Sequence, residues 1–250
     1  MHSGIRSAAL LTLVMLTASP VPAQSTVVKR KGQEPEYVDS AAYNRPAREY
    51  RIKKGSATIS LLERDVEYCR PPKPAGFDGM KGVSDLEQIV GEFSRLWWDM
   101  EAFRRLMPLY MEKGENKKAI ALYRDMAPVV LGEPMPVSLK RAYWQALMAD
   151  KQSATLEKEL DAAVASGSRE CGAWAYLMRG DLLAKQNKKP EALVDGYLKT
   201  VIMFDDIKSC RREALEKTIA IMNDMGDSRS AKFLKELDEE FPTALSPRKA

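Results

Sequence analysis

The chain is nearly devoid of histidine: its one histidine is His2, inside a segment that reads as a removable leader. Histidine is the commonest general base and the commonest metal ligand near neutral pH. Its absence from a mature chain argues against nucleophile–histidine pairs, histidine-rich zinc sites and ordinary haem attachment. Glycine-rich phosphate loops, calcium loops and a marked carboxylate pair are also missing. We therefore expect a protein that is not an enzyme and uses no cofactor or metal.

Long apolar runs are also lacking, except near the N-terminus. There Arg6 precedes Ala8–Ala18, an apolar run of about 11 residues, whereas a bilayer span takes about 20. The small residues of Val21–Ala23 predict signal-peptide cleavage after Ala23, with an uncleaved anchor as the alternative. We expect a periplasmic or secreted protein whose leader, residues 1–23, resembles bacterial ones, with no transmembrane segment in the mature chain.

Excess charge of one sign is absent too, since the net charge is only +4. Composition therefore does not argue for nucleic-acid binding. Residues 24–83 combine basic and acidic side chains with little apolar periodicity, which predicts a low-order basic linker. Within it, Ala57–Val66 is expected to form a short strand or one helical turn. The basic arm at 27–54 is read as a solvated tether, with binding to anionic lipid, envelope polymer or nucleic acid as the alternative.

Helical periodicity begins at residue 84. Ser84–Glu87 has the form of a capping box, and apolar residues then recur at helical spacing to about Lys113. We expect one long helix there, with Pro108 as a candidate kink and Gly114 as its left-handed end. Further helices are expected at about 117–126, 139–150, 156–163, 171–186, 190–204, 211–225 and 228–240.

These helices fit one helix–turn–helix register. Residues 180–197 read GDLLAKQNKKPEALVDGY, the clearest copy. A second copy contains Phe103, Leu106, Tyr110, Gly114, Ala119 and Tyr123, and another runs through Met222, Gly226, Ala231 and Leu234 to Pro242. These residues resemble the tetratricopeptide repeat, in which a small residue of the second helix presses against the first. Successive small-residue positions, 119, 155, 192 and 231, lie 36, 37 and 39 residues apart, against the usual 34.

The resemblance implies an all-α fold over residues 84–242, followed by a C-terminal tail at 243–250. Because an isolated helix pair cannot bury its apolar stripe, about four antiparallel pairs would stack into a right-handed superhelical solenoid. Such a scaffold binds a protein or peptide, without identifying it. Residues 24–83 would precede the solenoid as a mostly disordered segment.

In this family the concave groove is lined mainly by the first helix of each pair. Carried over by register, the resemblance places these residues in a partner-binding groove: Arg104, Met111, Lys140, Trp144, Met148, Trp174, Leu177, Asp181, Lys185, Glu213, Glu216 and Asn223. Tryptophan and methionine suit a peptide-binding channel. The alternative for Trp144 and Trp174 is packing in the core.

Cys171 and Cys210 occupy the same register position, each just ahead of a first helix. Export favours a disulfide between them, whereas stacked helices lie about 8–10 Å apart and a disulfide needs a Cα separation below about 7 Å. The pairing stays open, and Cys69 is left without an evident partner in the sequence.

Together these patterns predict an exported bacterial helical-repeat adaptor that binds a protein or peptide in the cell envelope. The alternative is a carboxylate-dependent cell-wall enzyme or a subunit of one. Self-assembly through the ends of the array is a third hypothesis.

Overall fold

The computed structural model describes residues 25–127 and 135–242. Over these residues the chain is mostly helical, but it also contains two antiparallel sheets of three strands each. The expectation of an all-α protein is therefore wrong. The predicted leader, residues 1–23, and the predicted tail, residues 243–250, lie outside the described residues.

Two compact units divide the chain between Lys73 and Pro74. We call residues 25–73 the β unit and the described residues from 74 onward the helical unit. The first helix of the helical unit begins at Val83, close to the predicted start of the repeat domain at residue 84.

The β unit contains six short strands in two sheets, ordered β2-β1-β6 and β3-β4-β5. Only Asp39 separates β2 from β3, so one stretch of backbone passes from the first sheet to the second. A single 3₁₀ turn, Glu63–Asp65, precedes the last strand. The strands are β1 (Thr26–Arg30), β2 (Glu36–Val38), β3 (Ser40–Asn44), β4 (Glu49–Lys54), β5 (Ala57–Leu62) and β6 (Val66–Arg70).

Strand β4 shows why a low-order linker over residues 24–83 was the wrong interpretation. Its buried Tyr50 and Ile52 alternate with exposed Arg51 and Lys53, the two-residue period of a half-buried strand. The charges that suggested a solvated tether form the outer face of a sheet. Short apolar stretches with this period are easily overlooked among charged residues. For Ala57–Val66, the strand alternative is confirmed by β5.

The helical unit consists of helices arranged as an N-terminal helix and four successive pairs. A five-residue π-helical segment, Leu193–Tyr197, joins α7 to α8 without interruption. The helices are α1 (Val83–Glu92), α2 (Trp98–Glu112), α3 (Asn116–Met126), α4 (Val137–Ala149), α5 (Ser153–Ala165), α6 (Arg169–Lys185), α7 (Lys189–Ala192), α8 (Leu198–Met203), α9 (Lys208–Asp224) and α10 (Ser230–Glu240).

The predicted helix from residue 84 to Lys113 is interrupted between α1 and α2. Arg95 and Trp97 adopt positive φ angles of 62° and 63°, and the Trp98 amide donates to the Leu96 carbonyl across 2.6 Å, which closes a tight turn. The buried Asp99 carboxylate accepts from the amides of Arg95 at 2.5 Å and Met100 at 2.7 Å. These bonds satisfy backbone donors at the start of α2, so the break is stable although the apolar period continues across it.

Two further expectations concern helix ends. The capping box at Ser84–Glu87 is wrong, because α1 already starts at Val83 after Gly82 and receives no side-chain cap there. Pro108 lies inside α2, which continues to Glu112. Gly114 has a φ of 69°, which confirms the predicted left-handed end.

One continuous apolar core runs through the helical unit. Each helix packs on the next along the chain, and the first helices of the pairs, α2, α4, α6 and α9, also contact one another in that order. Ala119 and Ala192 are fully buried, in keeping with the predicted small-residue positions, whereas Ala231 is exposed. The last pair is thus packed differently from the first.

Candidate functional site

A cleft of about 460 Å³ opens where α4, α6 and α9 lie side by side. These are the first helices of the second, third and fourth pairs, and α6 contacts both of the others. The lining combines apolar surface with hydroxyl, amide, carboxylate and guanidinium groups. The lining residues are Val137, Ser138, Arg141, Gln145, Glu170, Trp174 and Ser209.

Arg141 joins the three helices at this cleft. Its Nη2 lies 2.7 and 2.8 Å from the two carboxylate oxygens of Glu213 on α9. Its guanidinium also stacks over the Trp174 ring on α6, with Cζ 4.2 Å from the ring centroid. Charge-assisted bonding to both carboxylate oxygens and cation–π stacking each fix the planar group. These contacts hold the cleft wall in one arrangement.

A polar network continues from Glu213 beneath the cleft. Lys217 Nζ lies 3.0 Å from a Glu213 oxygen and 2.6 Å from both oxygens of Asp181 on α6. The Tyr197 hydroxyl donates to Asp181 across 3.0 Å. Burial, followed by the nearby Asp181 charge, raises the pKa of Tyr197 well above its ordinary value, so the hydroxyl keeps its proton.

The alternating charges of this network, Arg141, Glu213, Lys217 and Asp181, leave both carboxylates ion-paired. Their side chains are between 21% and 30% exposed, so the pairs are partly shielded from solvent. Desolvation offsets much of the attraction in such pairs, and here they link α4 to α9 and α9 to α6 at defined positions. The arrangement therefore serves to hold the surface of the cleft in place.

A close backbone contact places Tyr197 within reach of the network. A Cβ atom added at Gly196 would lie 2.3 Å from the Gly180 Cα, and one added at Gly180 would lie 2.4 Å from the Tyr197 ring. Only glycine fits both positions. The π-helical turn in the second helix of the third pair thus presses directly on α6 and directs the Tyr197 hydroxyl to Asp181.

Three predicted groove residues belong to the core: Trp144, Trp174 and Leu177. Trp144 is 1% exposed and Leu177 is fully buried, so neither side chain is presented to a partner, and their placement in the groove is wrong. For Trp144 the alternative of core packing is confirmed. Trp174 is 8% exposed and lines the cleft beneath Arg141.

Three predicted residues are brought together by the network: Trp174 and Glu213 through Arg141, and Glu213 and Asp181 through Lys217. The others make separate local contacts. Arg104 forms an ion pair with Glu101 at 2.8 Å, and Glu216 forms one with Arg212 at 3.1 Å. Lys185 donates a hydrogen bond to the Met148 carbonyl at 3.2 Å, and Lys140 lies beside Cys171. Met111 is half-buried and Asn223 is exposed.

The sequence reasoning missed Arg141, Gln145 and Lys217, and a one-residue error explains the first two. Left-handed residues mark the turn of each pair: Gly114, Lys151, Asn187 and Gly226. The predicted positions on α4 correspond to a register in which Asp150, instead of Lys151, takes the place of Gly114. Each predicted position on α4 was therefore one residue early, about 100° around the helix, which selected core residues in place of cleft residues.

The three described cysteines are free and buried, so the disulfide between Cys171 and Cys210 is not formed. Lys140 Nζ lies 3.6 Å from Cys171 Sγ, whereas Cys210 lies among the charges of Glu213, Arg141 and Lys217. Burial raises the pKa of Cys210 to about 12, and burial does the same for Cys69. Both remain protonated thiols of low reactivity at neutral pH.

Over the described ranges, no group of three histidine, cysteine, aspartate or glutamate side chains is placed to hold a metal ion. None of the described helices is both long enough and apolar enough to cross a membrane.

Comparisons with protein-family models, with curated proteins and with solved structures found no match to this chain.

Proposed function

We propose that this protein is an exported, tetratricopeptide-like adaptor that binds a protein or peptide partner in the cell envelope and performs no catalysis. Its helix pairs would stack in the right-handed superhelix of that family, with the cleft between α4, α6 and α9 on the concave side. Support for the stacking comes from the consecutive contacts of the first helices and from the continuous core.

The observation that carries the proposal is the make-up of the cleft. Val137 and the small exposed part of Trp174 offer apolar surface, while Ser138, Gln145 and Ser209 offer hydrogen-bonding groups. A rigid aromatic anchor surrounded by polar groups is typical of protein-recognition sites. Since side chains of three helices line the cleft, an extended segment could contact several pairs at once.

The pairing of charges also supports a binding role. Arg141 and Lys217 neutralise Glu213 and Asp181, which leaves Glu170 as the acidic group at the exposed rim. Because each of these carboxylates already has a cationic partner within the chain, the network suits recognition better than proton transfer.

Export and an envelope location remain part of the proposal and rest on the leader at residues 1–23. A precursor with a short apolar leader, whose predicted mature part contains no histidine, is consistent with a secreted binding protein.

Site-specific photocrosslinking in intact cells tests the proposal. A photoreactive residue replaces Gln145, which is exposed at the cleft, and in the control it replaces Lys158, which is exposed on α5. We expect a discrete adduct with one envelope protein at position 145 and none at 158. Adducts that form equally at both positions, or none at position 145, would contradict the proposal.

A further inference from the structure

Strand β5 forms an open edge of the β unit. It pairs with β4 along all six residues, from Ala57 opposite Lys54 to Leu62 opposite Glu49, and no other described strand pairs with its second side. Five of its six residues are exposed. Ile59 and Leu62 are 41% and 44% exposed, which is unusual for large aliphatic side chains in a regular strand.

The features that normally protect an edge strand are absent from β5. Edge strands are commonly guarded by charges, proline or a β-bulge. The sequence of β5, ATISLL, contains no charge and no proline, and its register with β4 is regular. By contrast, β6 carries Glu67 and Arg70, and its pairing with β1 shifts register between Lys29 and Arg30.

We propose that β5 pairs in antiparallel fashion with β5 of a second copy of this chain, about a two-fold axis at Ser60. Residues directly opposite one another in an antiparallel pair lie on the same face of the sheet. With Ser60 opposite itself, Ile59 meets Leu61 of the other copy, and Thr58 meets its Leu62. Two three-stranded sheets would become one six-stranded sheet.

A second copy fits this edge because β5 is complementary to itself. The large apolar side chains Ile59, Leu61 and Leu62 meet apolar or β-branched ones on both faces, and no like charges become opposite one another within the strand. Basic Lys53 and Lys54 lie at one end, and Glu63 and Asp65 follow the other end, where Arg64 also lies. In the antiparallel pair, the basic end of each strand lies beside the acidic end of the other. This contact occurs twice, since a two-fold interface repeats every contact.

The size of the interface predicts that the dimer is weak. A stable interface buries about 800 Å² on each partner, and one six-residue strand supplies less. We therefore expect a dissociation constant between about 1 μM and 1 mM.

Sedimentation equilibrium of the full chain over a concentration series measures this association. We expect the average mass to rise from monomer towards dimer, and Ile59→Lys to abolish the rise by placing a charge in the pairing strand. The control is Ile202→Lys, since Ile202 is 70% exposed on α8 and lies in the helical unit. A monomeric chain up to about 1 mM, or a dimer that Ile59→Lys leaves unchanged, would overturn the proposal.

Cysteine crosslinking tests the register. Ser60→Cys places two thiols on the axis, where mild oxidation should join the copies, while Thr58→Cys places them two positions from it. The native thiols are buried and contribute little background. Crosslinking at position 60 well above that at 58 supports the pairing. Equal crosslinking at the two positions, or none at 60, contradicts it.

Discussion

The β unit and the helical unit bury their apolar residues in different ways. In the helical unit, one core extends from Phe77 in the N-terminal segment to Met222 near the end of α9. In the β unit, the buried apolar residues are few: Val28, Val38, Tyr50, Ile52, Val66 and Cys69. Small cores leave domains close to the limit of stability. We therefore expect the β unit to be the less stable of the two and to unfold in its own transition.

The largest effect should follow from truncation at the centre of the helical core. Trp144→Ala removes a side chain that is 1% exposed and should lower the free energy of unfolding of the helical unit by about 4 kcal/mol. Urea denaturation followed by far-UV circular dichroism measures the change. The neighbouring Gln145→Ala is the control and should cost less than about 0.5 kcal/mol. Equal losses of unfolding free energy in the two variants would contradict the placement of Trp144 in the core.

A second large effect concerns the C-terminal end of the helical unit. The Arg211 side chain is 8% exposed and forms ion pairs with two residues of α10, Glu240 at 2.6 Å and Glu236. Helix α10 itself contains no buried residue. Arg211→Ala should destabilise the docking of α10 by about 3 kcal/mol, because two carboxylates lose a largely buried partner. Arg212→Ala removes an exposed pair and should cost less than about 0.5 kcal/mol. Hydrogen exchange of α10 amides reports the difference.

The pH dependence sharpens this prediction. The Arg211 guanidinium, through hydrogen bonds, lowers the pKa of Glu240 from 4.5 to about 2. The pair therefore contributes fully above about pH 4.5 and is lost as the pH falls towards 2. The difference between the native chain and Arg211→Ala should shrink over that interval. A difference that stays constant down to pH 2 would contradict the assignment of the stabilisation to this pair.

An intermediate effect is expected at the contact between the π-helical turn and α6. Gly196→Ala places a methyl group against the Gly180 backbone and should cost about 2 kcal/mol. Gly91→Ala is the matched control, since Gly91 lies in helix α1 with open space around it. It should stabilise the chain by about 0.5 kcal/mol. Thermal denaturation of both variants measures the contrast. Tolerance of alanine at 196 would show that the two helices lie further apart.

The smallest effect tests the β unit alone. Ile52→Val removes one buried methylene and should lower the free energy of unfolding of the β unit by about 1 kcal/mol. Ile59 is paired with Ile52 but is exposed, so Ile59→Val should be nearly neutral. All four tryptophans lie in the helical unit. Tryptophan fluorescence should therefore be unchanged by Ile52→Val while circular dichroism of the β transition shifts. A joint shift of both signals would indicate a single cooperative unit.

The two units also differ in how much could be predicted from sequence. Helix positions such as α3 and α9 were predicted to within a few residues because helical hydrogen bonds link neighbours four residues apart. Apart from β5, which was one of two alternatives, the strands were missed. The partner of β1 is distant in sequence, since β1 pairs with β6, some 40 residues on. Charges on the outer faces hid the alternation that buries Tyr50 and Ile52.

The cleft was predicted in part. Trp174 and Asp181 lie on α6 and Glu213 lies on α9, which are first helices as the repeat register implied. Both helices line the cleft. Arg141 was missed because the second pair lacks glycine in its turn, and the left-handed residue is Lys151. A one-residue shift in a helix moves every side chain by about 100°, so weak repeats fix the identity of a helix but not its exposed face.

The sequence by itself determined the paired helices, the left-handed glycine end at 114, and the scarcity of histidine, because all of these depend on composition or on neighbours along the chain. Only the tertiary structure decided the two sheets, the break before Trp98, the free state of Cys171 and Cys210, and the joining of Arg141, Glu213, Lys217 and Asp181. The break before Trp98 is held by local bonds such as that from the Arg95 amide to Asp99. The other features depend on groups in different elements of the fold, and packing fixes which of them meet.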